Sequence, residues 1–459
     1  MPGLSRTAAL GLALLAMGAA GGAGAQQTPL SPRPLAPSPE ANPTAPFLPQ
    51  RPTPPPRPRR RGEAPRPPAS LPAPEPEALG RDLDAAMEVD ATARAIAAQR
   101  EAVRARNALV RSPIPGAPAI GGSFRSDTRG PREAREMDIE LAAPLWLPGQ
   151  RGALAGTVTA GTAEQERRLA LRRLEVAALL RDAYWTVRAA EAELRVARQR
   201  VATARDIAHD FERRATLGDI SGTEALLGRN EVLAAELELV RAEAGLRRAE
   251  VAYRTLTGGS TLALSAPPPV AAAPQRRPAS DGTTHPAVRA AQAALDTAEA
   301  RSRLVAATPR DNPELGVFLR HQGGPLTEDG VSLGLRLRLP LATEARNAPR
   351  RADAEAERTR AQAELLQTRR VVEGEIRQAR LALAAAEDSW RLAAERRAVA
   401  DQQSNAARSA FRSGEIGGFD LFRVRQLQLE AAAAAALAEV ELGRAASRLH
   451  QALGLLPGE

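Results

Sequence analysis

The chain has 459 residues, a formal charge of +9, 63 basic residues that are all Arg, and no Cys. These counts exclude thiol catalysis, disulfides, Cys-ligated zinc, lysine Schiff bases and the Lys of a phosphate-binding P-loop. Aromatic residues are 3% of the chain, too few for a large globular core, while Ala, Leu, Glu and Arg dominate, as in long helices. The excess charge lies in one Pro-rich segment and among Glu residues along helices, which favours solvated helix faces over nucleic-acid binding.

Residues 1–25 have the pattern of a secretory signal peptide. Arg6 precedes an apolar run over 8–20, and the small residues 23–25 form a cleavage site before Gln26. The run is too short and too rich in Gly to make a good membrane anchor, and no Cys follows that could carry a lipid. We therefore expect export, in a bacterium to the periplasm or the outer membrane.

The next segment, 26–78, contains half of the 38 prolines of the chain. Such a composition predicts an extended, disordered segment, because Pro is incompatible with helix interiors and central strands. A flexible tether is the simplest role. The alternative is contact with peptidoglycan or another acidic surface through Arg57 and the arginines at 59–61.

The remainder of the chain is predicted to be two copies of one unit, 79–259 and 284–456, joined by a Pro- and Ala-rich linker, 260–283. Each copy contains, in order, a helix, two strands, a very long helix, a Gly-containing turn and a shorter helix. The turn sequences LGDISGTEALL (217–227) and SGEIGGFDLFR (413–423) align at a constant offset of 196 residues. In copy one, helices are predicted at 79–110, 150–217 and 223–256, and the two strands within 118–146. In copy two, helices are predicted at 285–307, 345–413 and 419–454, and the two strands within 313–341.

The long helices carry a coiled-coil pattern. Apolar residues recur at spacings of four and three from Val176 to Ala215, and again from Val372 to Phe411. Tyr184, Trp185 and Trp390 are predicted to pack in this seam. At about 1.5 Å per residue, each long helix is about 100 Å long.

The strands alternate between apolar and polar residues, as transmembrane β-strands do. In copy two, Val331, Leu333, Leu335, Leu337, Leu339 and Leu341 alternate with polar or small residues that include Arg336 and Arg338. In copy one, Met137, Ile139, Leu141, Ala143 and Leu145 oppose Asp138 and Glu140. Asp138, Glu140, Arg336 and Arg338 are therefore predicted to line a barrel lumen, either as solvated charges or as a selectivity element. The alternative is a soluble sheet with one face on a core.

Four strands cannot close a membrane barrel, because an open edge leaves backbone groups without partners in lipid. Barrels need about eight strands or more, so several chains must contribute, and three chains would supply twelve.

The chain resembles the TolC family of outer-membrane efflux channels over about residues 80–456. The resemblance rests on the export signal, the duplicated order of elements, the two turn sequences and the joins PLWLPGQRG (144–152) and LPLATEARNAPR (339–350). These joins are most similar to the heavy-metal branch that works with resistance-nodulation-division (RND) pumps.

The resemblance implies a mainly α fold with a small transmembrane β part: a homotrimer whose 12-strand β-barrel continues into a periplasmic α-helical barrel. It implies an outer-membrane location in contact with lipid, a periplasmic membrane-fusion adaptor and an inner-membrane RND pump as partners. No nucleic acid, cofactor, lipid anchor or enzymatic activity is expected. The adaptor would meet the tip turns at Gly218, Asp219, Ile220, Thr223, Gly414, Glu415 and Ile416.

The resemblance also places a periplasmic constriction at Asp420. The next acid of the family pattern, three residues on, is replaced here by Arg423, which puts the charge of the aperture in question. Asp420 is alternatively the N-cap of the helix that follows Gly417 and Gly418. Glu224, at the equivalent turn, is predicted to be a charge in the first turn of its helix.

The substrate implied by the heavy-metal branch is a divalent metal cation, with a drug or another small molecule as the alternative. The four His residues, at 209, 285, 321 and 450, lack the paired spacing of a metal site, so none is predicted. A rival class is a periplasmic coiled-coil adaptor without a barrel. Trp146, at a strand–helix join, is predicted either to lie at the membrane interface or simply to pack there.

Overall fold

The computed structural model describes residues 77–127, 135–265, 284–324 and 327–458. All of them belong to Pro65–Glu459, one of two units into which the chain divides. The predicted signal peptide, nearly all of the Pro-rich segment and the linker from residue 266 to 283 lie outside the described residues. None of the helices in the described part is long and apolar enough to cross a membrane.

The described elements follow the order predicted for a duplicated unit. Copy one contains α1 (Glu77–Val89), α2 (Ala91–Ala105), α3 (Asn107–Arg111), β1 (Ala119–Ser126), β2 (Arg135–Pro144), α4 (Gln150–Leu217), α5 (Gly222–Leu256) and the short α6 (Leu262–Ser265). Copy two contains α7 (Pro286–Ala307), β3 (Glu314–Gly324), β4 (Thr327–Arg338), α8 (Glu344–Ser413) and α9 (Gly418–Ala452). The predicted fold class, mainly helical with a small antiparallel sheet, is confirmed.

The first helical segment differs from the prediction of one helix over 79–110. It is broken into α1, α2 and α3, and the first break lies at Asp90, whose backbone is extended with ψ 114°. The Asp90 carboxylate accepts a hydrogen bond from the Ala93 N–H at 2.7 Å and so caps α2. An Asp that caps a new helix competes with continuation of the old one, which explains the break.

The coiled-coil seam is formed by the positions that the spacing of apolar residues predicted. On α4, the residues from Val176 to Phe211 are buried at nearly every seam position, and Val187 is 1% exposed. On α8, Val372, Ile376 and Leu383 are buried in the same way. Trp390 is an exception, since 42% of it is exposed, and the prediction that it packs in the seam is wrong for the single chain.

The two largest apolar clusters of the described residues hold the helices together. In the first, residues of α1, α4, α5 and α6 meet, among them Leu83, Leu180, Tyr184 and Tyr253. The second joins α7, α8 and α9. The helix α6 lies inside the predicted linker, yet its Ala263 is fully buried in the first core.

The strands form one antiparallel sheet in the order β1-β2-β3-β4, so the central β2–β3 pair joins the two copies. The contact between the two copies continues just beyond the strands, where the Leu145 N–H donates to the Pro313 carbonyl at 2.7 Å. The side-chain amides of Gln150 and Asn312 exchange two hydrogen bonds, of 3.2 and 2.6 Å. The start of α4 is thereby fixed to the start of β3.

Candidate functional site

One face of the sheet is apolar and uncovered. The register places Ile139 opposite Leu319, and Leu319 opposite Leu333, so apolar side chains of neighbouring strands share one face. Each of its large members is at least 42% exposed: Ile120, Phe124, Met137, Ile139, Leu141, Leu315, Val317, Leu319, Val331, Leu333, Leu335 and Leu337. Within the described residues nothing covers this face, which is contrary to the alternative of a soluble sheet packed on a core. Leu145, Leu339 and Leu341, predicted for the same strands, lie just beyond the strand ends.

The opposite face carries the charges. Asp138 and Glu140 of β2 lie on it together with Arg336 and Arg338 of β4, as the alternation predicted. Arg336 forms an ion pair with Glu140, and Arg338 lies 3.6 Å from the carboxylate of Glu314.

The centre of this polar face is a residue that the sequence reasoning missed. Arg320 of β3 lies 2.7 Å from Glu136 and 2.8 Å from Asp138. The guanidinium groups of Arg320 and Arg336 also lie 5.5 and 5.1 Å from the ring centroid of Phe318. The sequence did contain a signal for Arg320. Phe318 and Arg320 alternate along β3 with Val317, Leu319 and His321, so they lie on the opposite face of the strand.

The two predicted tip turns have the same backbone geometry. Gly218 and Gly414 end α4 and α8 in the left-handed region, with φ of 83° and 81°. The N–H of Asp219 donates to the carbonyl of Arg214, and that of Glu415 to Ala410, both at 2.9 Å. This is the Schellman arrangement that favours Gly at the left-handed position.

The predicted docking residues lie at these turns. Those exposed are Gly218, Asp219, Thr223, Gly414 and Glu415, whereas Ile220 and Ile416 are partly buried. The two isoleucines pack against a cluster formed by Phe211, Phe411 and Leu421. The tips of the two copies are therefore held together by an apolar contact.

Arg214 strengthens this contact and was not singled out from the sequence. Its guanidinium lies 4.0 Å from the ring centroid of Phe411 and donates to the Phe411 carbonyl at 3.5 Å. The rings of Phe211 and Phe411 are 6.2 Å apart. Gly418 is required beside them, because a Cβ there would lie 2.9 Å from the Phe211 ring.

The structure changes the interpretation of Asp420. The N-cap of α9 is Gly417, no side chain caps this helix, and Asp420 is an exposed residue of its first turn. The N-cap alternative is therefore wrong. Arg423 is exposed one turn further along α9.

Glu224 and Trp146 also have defined places. Glu224 lies in the first turn of α5, as predicted, and forms a capping box with Ser221. The Trp146 indole N–H donates to the Ser112 carbonyl at 3.3 Å, so this side chain is fixed at the strand–helix join. In the described ranges, no three His, Asp or Glu side chains gather in a way that could hold a metal ion.

Neither a protein-family model nor a curated protein matches the chain. Solved structures do match. The outer-membrane protein VceC from Vibrio cholerae has a TM-score of 0.66 at 16% identity and covers 83% of this chain and 97% of its own. The outer-membrane channel OprN has a TM-score of 0.67 at 20% identity, over 83% of this chain and 90% of its own.

A third similar structure is the CmeC outer-membrane channel of Campylobacter jejuni, with a TM-score of 0.66 at 15% identity, over 84% of this chain and 90% of its own. These identities are low, and the coverage is high on both sides of each comparison. The resemblance stated from the sequence is thus confirmed at the level of the fold. The chain has the fold of the TolC-type outer-membrane channels.

Proposed function

We propose that the protein is the outer-membrane exit duct of a tripartite efflux system, a passive channel with a long periplasmic extension. The observation that carries the proposal is a sheet with one apolar and one charged face, continued by long helices whose ends pair at the two tip turns. One sheet face is apolar and exposed, the other holds paired charges, and solved outer-membrane channels share this fold.

The membrane location is supported by the apolar face. Burying apolar surface is favourable by about 25 cal/mol per Å², and lipid is the environment that an entire exposed sheet face requires. The paired charges then face a water-filled lumen. In this arrangement Asp138, Glu140, Arg336 and Arg338 line the barrel, with Arg320 between them.

A homotrimer is supported by the edges of the sheet. In the described sheet, β1 and β4 each pair on one side. An unpaired edge is costly in lipid, and a barrel needs about eight strands or more, so more than one chain is required. Three copies of this four-stranded sheet give the twelve strands expected from the resemblance.

The partners proposed are a periplasmic membrane-fusion adaptor and an inner-membrane RND pump. The tip turns at Gly218 and Gly414 are exposed and would meet the adaptor, while Asp420 and Arg423 would lie at the periplasmic constriction. Energy for export would come from the pump. We expect Asp219→Arg and Glu415→Arg to abolish export while the channel still reaches the outer membrane. Glu364→Arg, the same change on an exposed part of α8 far from the tip, serves as the control.

The substrate proposed is a divalent heavy-metal cation. This part rests on the similarity of residues 339–350 to the heavy-metal branch, and a drug or another small molecule is the alternative. The segment covers the start of α8, where Arg346 forms an ion pair with Asp311. This ion pair belongs to the scaffold at the strand–helix join, and the growth test below assigns the substrate.

Two experiments test the proposal in turn. Membrane fractionation comes first: heat-modifiable trimers in the outer-membrane fraction support a channel, and recovery in a soluble or inner-membrane fraction supports the rival adaptor. Growth of a deletion strain is then measured on a panel of divalent metals and unrelated drugs, with the intact gene as the complementing control. Sensitivity to metals alone supports the metal substrate, and sensitivity to drugs with normal metal tolerance refutes it while keeping the channel.

A further inference from the structure

Below its apolar face, the sheet is connected to the helices by four joins that include the adjoining helix ends. The joins are 111–118, 144–152, 308–314 and 339–351. Together they contain six Arg and three acidic residues. They also carry apolar side chains at the surface, since Leu145, Leu339 and Leu341 are 37, 50 and 75% exposed. The joins are thus both basic and apolar.

Contacts between the joins hold them at one level. The Arg151 guanidinium donates to the carbonyls of the last two residues of α3, at 2.6 and 3.3 Å, and keeps Arg111 beside the start of α4. The amide pair described above fixes the start of α4 to the join before β3, which contains Arg310. Arg346 forms an ion pair with Asp311 of that join, so the start of α8 lies at the same level.

Each acidic residue of the joins already has an Arg partner. The pairs are Asp311 with Arg346, Glu344 with Arg351, and Glu314 with Arg338 of the polar sheet face. Three arginines, Arg111, Arg310 and Arg350, form no ion pair and no side-chain hydrogen bond of their own within the described part of the chain. The charge that is left over at this level is therefore positive.

The three unpaired arginines, which we call the arginine belt, lie close to the end of the sheet. Arg111 and Arg350 are exposed, and Arg310 is partly buried. Arg350 comes six residues after the start of α8 at Glu344, which is about 9 Å along the helix. Arg346 and, more weakly, Arg350 hold the pKa of Asp311 below its ordinary value, which is consistent with this level.

We propose that the arginine belt binds the phosphate groups of anionic phospholipids in the periplasmic leaflet of the outer membrane. The inference rests on the proposed function, because that function places the apolar sheet face in the membrane. A guanidinium matches a phosphate with two parallel hydrogen bonds, and an anionic leaflet attracts Arg near its surface. A trimer would present nine such arginines around the base of the barrel.

The exposed leucines favour a lipid over a free anion. Leu145, Leu339 and Leu341 lie at the level of the belt, so the surface offers an apolar contact for acyl chains beside cations for headgroups. A long Arg side chain suits this place, because its stem covers apolar surface while its head reaches the headgroups. Trp146, fixed at the same join by its hydrogen bond to Ser112, is a residue type enriched at membrane interfaces. A free phosphate would satisfy only the charges.

The lipid selectivity of the full-length protein in phosphatidylcholine vesicles tests the proposal. Trace phosphatidylglycerol or phosphatidylcholine, spin-labelled near the headgroup, is added, and electron paramagnetic resonance measures the fraction immobilised at the protein. We expect the unmodified protein to prefer phosphatidylglycerol and to lose part of the preference at high salt. Each of Arg111→Gln, Arg310→Gln and Arg350→Gln should lower it, and the triple variant should lose it. Equal immobilisation of the two lipids by the unmodified protein would overturn the proposal.

Two matched triple variants serve as controls. Lys at the three belt positions keeps the charge, so this variant should retain the preference and separates loss of charge from loss of folding. The second control removes the same charge towards the tips, from exposed arginines without an ion pair in the described residues: Arg229→Gln, Arg396→Gln and Arg408→Gln. It should bind phosphatidylglycerol as the unmodified protein does, and an equal loss in it would mean that net charge alone is responsible.

Three other results would also overturn the belt. The Gln triple variant could conduct normally and keep its full preference. It could keep the preference but change the reversal potential, which would place the arginines in the lumen. Inorganic phosphate could displace phosphatidylglycerol at constant ionic strength, which would indicate a site for the free ion. A protein that enters no bilayer at all would instead count against the proposed function.

Discussion

The carboxylate of Asp82 is fully buried and is surrounded by donors. It accepts hydrogen bonds from the Tyr253 hydroxyl at 2.6 Å, from the Ser260 hydroxyl, and from the N–H groups of Leu262 and Ala263 at 3.2 and 2.9 Å. Burial raises the pKa of the Tyr253 phenol, so this hydroxyl stays protonated and donates. Asp82 thereby ties α1 to the end of α5 and to α6.

We expect Asp82→Ala to be much more damaging than Tyr253→Phe. The first change leaves several buried donors without an acceptor, at about 1–3 kcal/mol each, whereas the second removes one hydrogen bond worth about 1 kcal/mol. Melting of the purified protein in detergent, followed by circular dichroism, measures the difference. A larger loss for Tyr253→Phe than for Asp82→Ala would show that the carboxylate is not the centre of this network.

Asp90 gives a prediction about pH. Its carboxylate caps α2 and accepts hydrogen bonds from Arg172 at 2.8 and 3.0 Å. The hydrogen bond from Arg172, aided by that from the Ala93 N–H, holds the pKa of Asp90 below its ordinary value of 3.8. A depressed pKa in the folded state means that the stabilisation is complete above the unfolded pKa and is lost as the pH falls through the folded one.

We therefore expect Asp90→Asn to lower the free energy of unfolding near neutral pH by about 1 kcal/mol. The difference from the unmodified protein should shrink as the pH falls below 3.8. Asp84→Asn is the control, because Asp84 pairs with Arg173 at the surface and is 60% exposed. A difference that persists unchanged at low pH would mean that the charge of Asp90 is not the source of its effect.

At the scale of elements, β4 offers a test of the two sheet faces with neighbouring residues. Leu333 is 75% exposed on the apolar face, and Ser332 lies on the polar face beside Arg320. An Arg on the lipid face costs about 2–4 kcal/mol at the midplane, whereas a polar lumen tolerates it. We expect Leu333→Arg to reduce recovery from the outer membrane sharply and Ser332→Arg to leave it unchanged. Equal recovery of the two variants would contradict the assignment of the faces.

The elements also show which features a single sequence can predict. Periods of 3.5 and 2 are repeated many times along α4, α8 and β4, so each extra residue confirms the pattern. The break at Asp90 depends on one carboxylate that caps α2 and binds Arg172, 82 residues away. A single contact of this kind leaves no repeating pattern in the sequence from which it could be predicted.

Two site residues illustrate the same limit. Arg320 belongs to the site because it forms ion pairs with Glu136 and Asp138, which lie on a strand of the other copy. Only the register of β2 with β3 shows that these residues are neighbours. Asp420 follows two glycines, and either Gly417 or a later residue could have capped α9. In the structure the N-cap of α9 is Gly417, so Asp420 lies in the first turn of the helix with its side chain exposed.

At the scale of the whole molecule, a threefold assembly would place each polar-face residue in the lumen three times. Arg320 forms ion pairs with both Glu136 and Asp138, and its loss would leave these two carboxylates without that partner in each subunit, which makes six in a trimer. Negative charge in a narrow aqueous lumen attracts cations. We therefore expect Arg320→Gln to shift the reversal potential of single channels in a KCl gradient towards cation selectivity.

The control for this prediction removes the same charge from the same part of the sheet. Arg135 lies opposite Gly323 on the face that carries Met137 and Ile139, so in the proposed barrel Arg135→Gln would change the outer surface and not the lumen. Its reversal potential should match that of the unmodified channel. Because the two variants have the same net charge, only position relative to the lumen can separate them. An equal shift in both would mean that the paired charges do not line the conducting path.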